Sequence, residues 1–272
     1  MNYDLALLPD FLLVTVLLFA LIIGRYLLIA GFFHVWCYIW RKDQFVKRKL
    51  GNKPYTKAQY RREFTYSMIT AGIFAVTGAL TVLLWQKGYT KVYEDPMAYG
   101  WWYLPVSLGI YLIAHETYYY WLHRWMHIPG IFKIVHKVHH QSTITSAWTA
   151  FSFHPLEGLL QAFFLPVMIL IVPVHYGVLL FQLVIMTFSS VINHLDIELY
   201  PAKFHRHPIG KWLIGATHHS LHHKQFKFNY GLYFTFWDKW KRTESPEFEK
   251  RFESVTENTT TLIVRKKPND QK

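Results

Sequence analysis

The chain of 272 residues has a single cysteine, Cys37, which excludes an intramolecular disulfide and any cysteine-ligated metal cluster. It has no Gly-x-Gly-x-x-Gly fingerprint and no Cys-x-x-Cys pair, so no dinucleotide site or dithiol centre is written in it. Acidic residues are scarce, 17 Asp and Glu against 29 Lys and Arg. The resulting charge of +12 would suit nucleic acid, but the excess follows the edges of long apolar runs, where anionic lipid headgroups account for it. Nucleic acid is therefore set aside as a partner. A cleavable signal peptide is also missing: the first apolar run is too long and has neither a basic leading region nor a small-residue cleavage site. That run is expected to remain as a membrane anchor.

What the chain has in excess is apolar surface and histidine. Hydrophobic residues make up 52% and aromatics 18%. From Phe11 to Trp40 only Arg25 is charged, and about 20 apolar residues suffice to cross a bilayer. Phe64 to Trp85 is a second uncharged run, and Trp101 to Ala114 a third that leads into Tyr118, Tyr119, Tyr120 and Trp121. The block from Gly158 to Ile192 is too long for one crossing, and Pro166 and Pro173 break it into a helical hairpin or two kinked helices. Arg25 is an expense at its position; it is expected to snorkel or to face the protein interior, and no function is attached to it.

Charge supplies an orientation. Arg41 to Arg62 holds nine Lys or Arg and one acid, Asp43, whereas Gln86 to Gly100 holds only Lys87 and Lys91 against Glu94 and Asp95. The positive-inside rule makes the first loop cytoplasmic. The second run then goes out, the third returns, and the hairpin comes back to the same side. The histidine clusters thus fall on the cytoplasmic face, with the basic stretch from Lys203 to Lys272.

Those clusters carry the chemistry. His-x-x-His-His occurs twice, as His136, His139, His140 and as His219, His222, His223, and His123 and His127 form an i, i+4 pair just before the first copy. On a helix, residues three and four apart share a face, so each cluster can aim two or three imidazoles at one point. One copy would arise by chance in roughly one chain of this composition in twenty; two copies plus the pair would not. A pH-sensing cluster or a solvated basic face are the bland alternatives. Eight imidazoles are too many for one ion, so two metals are expected. The chain is expected to leave the third helix, pause at Ile128-Pro129-Gly130 and resume as a helix bearing His136, His139 and His140.

HETYYYWLHRWMH (His115 to His127), VHKVHHQS (Val135 to Ser142), FSFHPLEGLLQ (Phe151 to Gln161) and THHSLHHKQFKFNYGLYFTFWDKW (Thr217 to Trp240) together resemble the fatty acid hydroxylase and sterol desaturase superfamily. His-Pro-x-x-Gly-x-x-Gln, Asn229-Tyr230-Gly231 and Trp237-Asp238 are most similar to its sterol C5-desaturase (lathosterol oxidase) branch. The resemblance implies an all-α, polytopic membrane helix bundle of about four membrane-embedded helical units, one a hairpin, with a cytoplasmic histidine-rich di-metal cap. It divides the chain into N-terminal membrane helices and a basic loop (1–95), a catalytic region (96–245) and a charged tail (246–272) expected to be weakly ordered.

Carried over position by position, the resemblance implies two iron ions held by His123, His127, His136, His139, His140, His219, His222 and His223, with His194 as a further family histidine, and O2 as co-substrate. It implies desaturation or hydroxylation of a lipid, a sterol first and a fatty acyl, sphingoid or carotenoid chain second. His218 is a candidate to support the ligands, and His205 or His207 could complete the metal shell or be loop histidines. His154 is expected to pack beneath the site, His34 and His175 to be ordinary helix residues, and His115 could be either. Glu116, Glu157, Asp196 and Asp238 are the acids available to orient imidazoles through the other ring N–H. Glu116 stands where the family usually has Asp.

Electrons are expected from a separate protein such as a cytochrome b5 or ferredoxin, docked on the basic face. Such a protein would sit in the endoplasmic reticulum of a eukaryote or the inner membrane of a bacterium. A His-rich metal transporter competes from another class, weakened because transport ligands belong near the bilayer midplane. A zinc hydrolase competes too, weakened by the ligand excess and the absence of His-Glu-x-x-His.

Overall fold

Apolar runs without internal glycine–proline breaks become helices, and a computed structural model describes residues 4–265, with side chains through residue 257. In chain order the α-helices are α1 Leu8–Val35, α2 Lys42–Phe45, α3 Lys57–Gln86, α4 Tyr103–Met126, α5 Pro129–Val135, α6 Lys137–His140, α7 Pro155–Ala162, α8 Phe164–Ile171, α9 Tyr176–His194, α10 Ala216–Gln225, α11 Phe236–Lys241 and α12 Phe248–Arg265. A π-helical turn, Trp36–Trp40, prolongs α1. Among the described residues the only sheet is a parallel pair, Val92–Tyr93 against Val174–His175.

Three helical segments are long and apolar enough to cross a membrane: Leu8–Trp40, Lys57–Gln86 and Tyr176–His194. Helix α4 is long enough, with 24 residues, but its second half carries His115, Glu116 and His123 and is not apolar. The block expected as a hairpin is α7, α8 and α9. Pro166 sits in the first turn of α8, where its missing N–H breaks no intrahelical bond, and the chain turns instead at Val172 and Pro173. The parallel strand pair ties that turn to the loop after α3, so both lie at the end of the bundle opposite the histidines.

Close packing of the bundle rests on small residues. Ala71, Ala75 and Ala79 form an i, i+4, i+8 stripe on α3 with no exposed surface, and a Cβ on Gly78 would lie 3.1 Å from Leu18 of α1. Such stripes let helices approach where lipid offers no hydrophobic drive. Tyr26 and Phe151, whose rings stack at 5.0 Å, belong to the main core cluster with Ala30, Ala147 and Ala150. Two helices start on histidine caps: the ring of His154 accepts from Leu156 N–H at α7, and that of His175 from Gly177 N–H at α9. His154 is therefore a cap at the head of α7, which sharpens the expectation that it merely packs beneath the site.

Residues 1–95 match no motif, yet they hold the cap in place. Glu63, wholly buried, accepts from Ser142 Oγ (2.7 Å), Ser146 Oγ (2.8 Å), Thr149 Oγ1 (2.9 Å) and Gln59 Nε2 (2.8 Å). The loop that follows the first His-x-x-His-His is thus fastened to the end of α3. A second tie joins the basic loop to the chain after α9, where Leu50 N–H donates to Asp196 O and Glu198 N–H to Arg48 O.

The tail is corrected. Residues 248–265 are helical, and Phe248, Phe252 and Val255 are buried, the first two against Leu221 of α10 and Val255 against Leu50 and Ala216. A charged composition hid an i, i+4 apolar face, which is enough to dock a helix once a partner surface exists. Residues 266–272 lie outside the described residues. Glu63→Ala would strip three buried hydroxyls of their acceptor, and since hydrogen bonds to a charged group are worth about 1.5–3 kcal/mol each, a stability loss of roughly 3 kcal/mol or more is expected by thermal unfolding in detergent. An unchanged midpoint would contradict the buttress.

Candidate metal centre

Nine imidazoles converge in two groups. His123, His127, His136, His140 and His222 offer ring nitrogens within 4.8 Å of one another, and His139, His194, His219 and His223 do the same. They come from α4, α5–α6, α9 and α10, so four separate segments must meet. The break between α5 and α6 falls at His136, a kink the sequence did not announce. It turns that ring into the first group, while His139 and His140, adjacent on α6, divide between the two. Helix α10 is divided likewise, with His222 in one group and His219 and His223 in the other. Residues 216–223 of α10 are all buried, which is why this helix shows no apolar face in sequence.

The nitrogen geometry tests whether a cation fits. Nε2 atoms face each other at 3.0 Å for His123 and His136, 3.1 Å for His140 and His222, 3.1 Å for His139 and His194, 2.8 Å for His194 and His219, and 3.0 Å for His219 and His223. Metal–imidazole bonds of about 2.1 Å at right angles put neighbouring nitrogens about 3.0 Å apart. These contacts could instead be hydrogen bonds only if one Nε2 of each pair carried a proton. For His139 and His194 neither does: His139 Nδ1–H donates to the Ser152 carbonyl (3.2 Å) and His194 Nδ1–H to the Ser190 carbonyl (2.7 Å). A carbonyl only accepts, so each neutral ring has its proton on Nδ1 and a lone pair on Nε2. Two lone pairs facing each other at 3.1 Å in a buried site call for a cation between them.

The same tautomer lock acts elsewhere. His123 Nδ1 donates to the Tyr230 carbonyl (2.9 Å) and His222 Nδ1 to the Phe228 carbonyl (2.7 Å). His136 Nδ1 lies 2.8 Å from Glu157 Oε1, both side chains wholly buried. Burial, first, and repulsion from neighbouring rings hold His136, His139, His140, His219, His222 and His223 well below the usual histidine pKa of 6.5. The donor set is therefore neutral at physiological pH, without competition from protons. All-imidazole sets suit iron, zinc, copper or nickel.

Only Glu157 among the four acids approaches an imidazole, a correction to the expectation that they orient ligands directly. Glu116 accepts instead from the backbone N–H groups of Leu232, Tyr233 and Phe234, and Asp238 from those of Tyr230 and Gly231. Five consecutive amides are thus held by two buried carboxylates. The loop they clamp presents the Tyr230 carbonyl to His123, and the Leu232 carbonyl accepts from Asn193 Nδ2, next to His194. Gly231 is required there: a Cβ would lie 2.7 Å from Glu116 Oε1 and 2.7 Å from the Phe234 carbonyl. Asp196, in the left-handed region at φ 58°, accepts from Tyr55 OH and sits 3.9 Å from Lys49 Nζ.

Residues 108–243 match the Fatty acid hydroxylase family. The chain belongs to that family. It is 29% identical to a Delta(7)-sterol 5(6)-desaturase of Gibberella zeae over 84% of this chain and 72% of that protein. It is 30% identical to the lathosterol oxidases of Homo sapiens and Mus musculus over 68% of this chain, and it spans 61% of their length. No solved structure matches.

The remaining histidines of this family member fall outside both groups. His218 stacks on Phe248 at 3.6 Å and lies 3.6 Å from Glu244. His205 lies 3.6 and 3.5 Å from Glu249 and Glu253 of α12, and the His207 ring accepts from Ile209 N–H. None of the three completes the shell. His34 stacks on Tyr38, and His115 Nδ1 meets Tyr233 OH at 2.8 Å. Glu63 was missed by motif reading; its signal was that it is the only acid between Asp43 and Glu94. Because His139 and His222 lie in different groups, His139→Ala and His222→Ala should each remove about one metal ion of two while helicity is kept, as measured by elemental analysis and circular dichroism. Loss of both ions, or of neither, from each variant contradicts two independent groups.

Proposed function

We propose that this protein oxidises an unactivated C–H bond of a membrane lipid, desaturating or hydroxylating it with O2, and that two iron ions held by the nine histidines supply the oxidising chemistry. The observation that carries the reading is the pair of buried lone-pair clusters. Five and four nitrogens leave one and two positions free in a six-coordinate shell, which is room for O2 and substrate. Neutral donors leave the ions' positive charge undiminished, and no thiolate is present to be oxidised. The sterol names of the relatives make a sterol the first substrate to test.

Substrate access is built from apolar side chains. An inner chamber lined by Tyr119, Phe151, Phe153, Ser190 and Leu232 adjoins both groups: Phe153 packs on His139 at 5.1 Å and Tyr119 on His123 at 5.2 Å. Phe74, His115, Gln161 and Met186 line it too, and these same four line a larger chamber between the membrane helices. A lipid can thus reach the metals from the bilayer with water excluded. The role of this chain's residues is to position a methylene against the centre and to keep reactive species from solvent.

Electrons balance only with an outside donor. Desaturation draws two from the substrate and two from the donor as O2 becomes two waters, and hydroxylation also needs two from the donor. Phe226, 37% exposed, stacks on His140 at 4.8 Å, and Lys133, Lys137, Lys224 and Lys227 are exposed around it. This face fits an acidic carrier such as a cytochrome b5 or ferredoxin. Purified protein given lipid and O2 should turn over little until a reduced carrier is added. Lys137→Glu with Lys227→Glu should lower kcat/KM for the carrier about tenfold with kcat preserved, and wild-type rates should fall with salt, because exposed charges are screened over about 8 Å at physiological ionic strength. Sustained turnover without a donor would return the reading to hydrolysis.

The basic loop supports a cytoplasmic position for this face, at the endoplasmic reticulum or a bacterial inner membrane. Labels at Gly51 to Thr56 should be reached from the cytoplasm and a label at Asp95 should not. A cytoplasmic Asp95 would sink the orientation.

A further inference from the structure

Arg25 is the one formal charge between Phe11 and Trp40, and it borders a chamber between the helices. It lines the outer chamber with Leu18, Leu21, Ile22, Thr81 and Gln182. Its Nε is buried without a hydrogen-bond partner, and no ion pair is formed by it among the described residues. Gln182, 2% exposed, faces the same chamber with its Oε1 unpartnered. An arginine stays protonated, and an unpaired charge at such depth is strongly unfavourable unless something answers it. Among the described residues none pairs with it.

The level of this pair within the bundle is set by helix geometry. Helices α1 and α9 run in the same direction, because the turn ending α1 meets the end of α9 through the Tyr38 hydroxyl on the Leu195 carbonyl. Phe33 packs on Phe188 at 5.3 Å. Arg25, eight residues before Phe33, therefore lies level with Leu180 to Gln182. Gln182 precedes His194 by twelve residues, about 18 Å along the axis at 1.5 Å per residue. The polar pair and the metal ligands thus stand at opposite ends of two adjoining chambers that share Phe74, His115, Gln161 and Met186 as lining.

We propose that Arg25 and Gln182 bind the carboxylate of a long-chain acid, holding its polar end deep in the chamber while a distant methylene of the same chain reaches the metal centre. The guanidinium takes one or both carboxylate oxygens, and the Gln182 amide can turn its NH2 to the second. The separation is a ruler: it suits an extended chain oxidised far from its head. A sterol oxidised in its second ring carries its hydroxyl only a few bonds from the reacting carbon, so that hydroxyl could not reach Arg25 from the metals. This inference rests on the lipid-oxidising reading for what happens at the far end, but the anchor itself is a binding site and is tested by binding.

The full chain in phosphatidylcholine nanodiscs is titrated with oleic acid, methyl oleate and cholesterol, at a pH that keeps the acid ionised. Wild type should bind oleate about tenfold or more tightly over its methyl ester, as expected for a charge-assisted pair. Arg25→Leu should abolish that preference while leaving ester affinity unchanged, Arg25→Lys should keep part of it, and Gln182→Leu should weaken it. Removing an unanswered charge should not lower the melting temperature of Arg25→Leu, so loss of binding cannot be blamed on misfolding. Equal affinity for acid and ester, a preference that survives Arg25→Leu, or cholesterol binding that is tighter than oleate and depends on Arg25 would overturn the anchor. Oleate discrimination without oxidation of either oleate or a sterol in the presence of iron, O2 and a donor would leave the anchor standing and overturn the proposed reaction instead.

Discussion

Imidazole lone pairs that face each other across 3 Å in a dry interior repel unless a cation lies between them, and the rest of this structure follows from that constraint. Each ring must be neutral, turned to a particular side and held there. Backbone carbonyls do most of the holding. They fix the proton on Nδ1 of His123, His139, His194 and His222, and so leave Nε2 free. Fixing a tautomer with a neutral acceptor adds no negative charge beside the centre. Ions bound there would keep their full attraction for electrons, which would suit an oxidant.

The carboxylates are placed one step further out. Glu116 and Asp238 hold a backbone loop, and Glu63 holds three hydroxyls of another. Each is buried, and each is stabilised by several donors aimed at it, which offsets desolvation. Loops are ordinarily the mobile part of a fold. Here the two that carry ligand-orienting carbonyls are clamped by buried carboxyl groups, so the imidazoles sit on a rigid base although four separate segments supply them. The longer arm of Glu116, at a position where Asp is usual in the family, still spans three successive amides.

The membrane helices contribute more than an anchor. Their small-residue stripe lets α3 pack closely against its neighbours, while Phe74, His115, Gln161 and Met186 line both chambers of the route proposed for substrate. Polarity along it is sparse and localised, with His115 midway and Arg25 and Gln182 at the far end.

Much was determined by sequence alone. Histidine spacing of three and four residues is a local property of helices, so the clusters and their helical carriers were legible without tertiary structure. Long uncharged runs likewise report membrane helices directly, because bilayer transfer depends on composition. Which histidines share an ion was not legible: adjacent His139 and His140 separate because α6 lies between the two groups, a matter of how four segments meet. The roles of Glu63, Glu116 and Asp238 were hidden for the same reason, since their partners are loop atoms brought near only by folding. The helix at 248–265 was hidden because its apolar face means little until α10 and Leu50 offer a surface. Arg25 shows the division plainly. Its charge and depth are written in the chain, but that it faces a chamber with no partner is decided by the packing of α1 against α3 and α9.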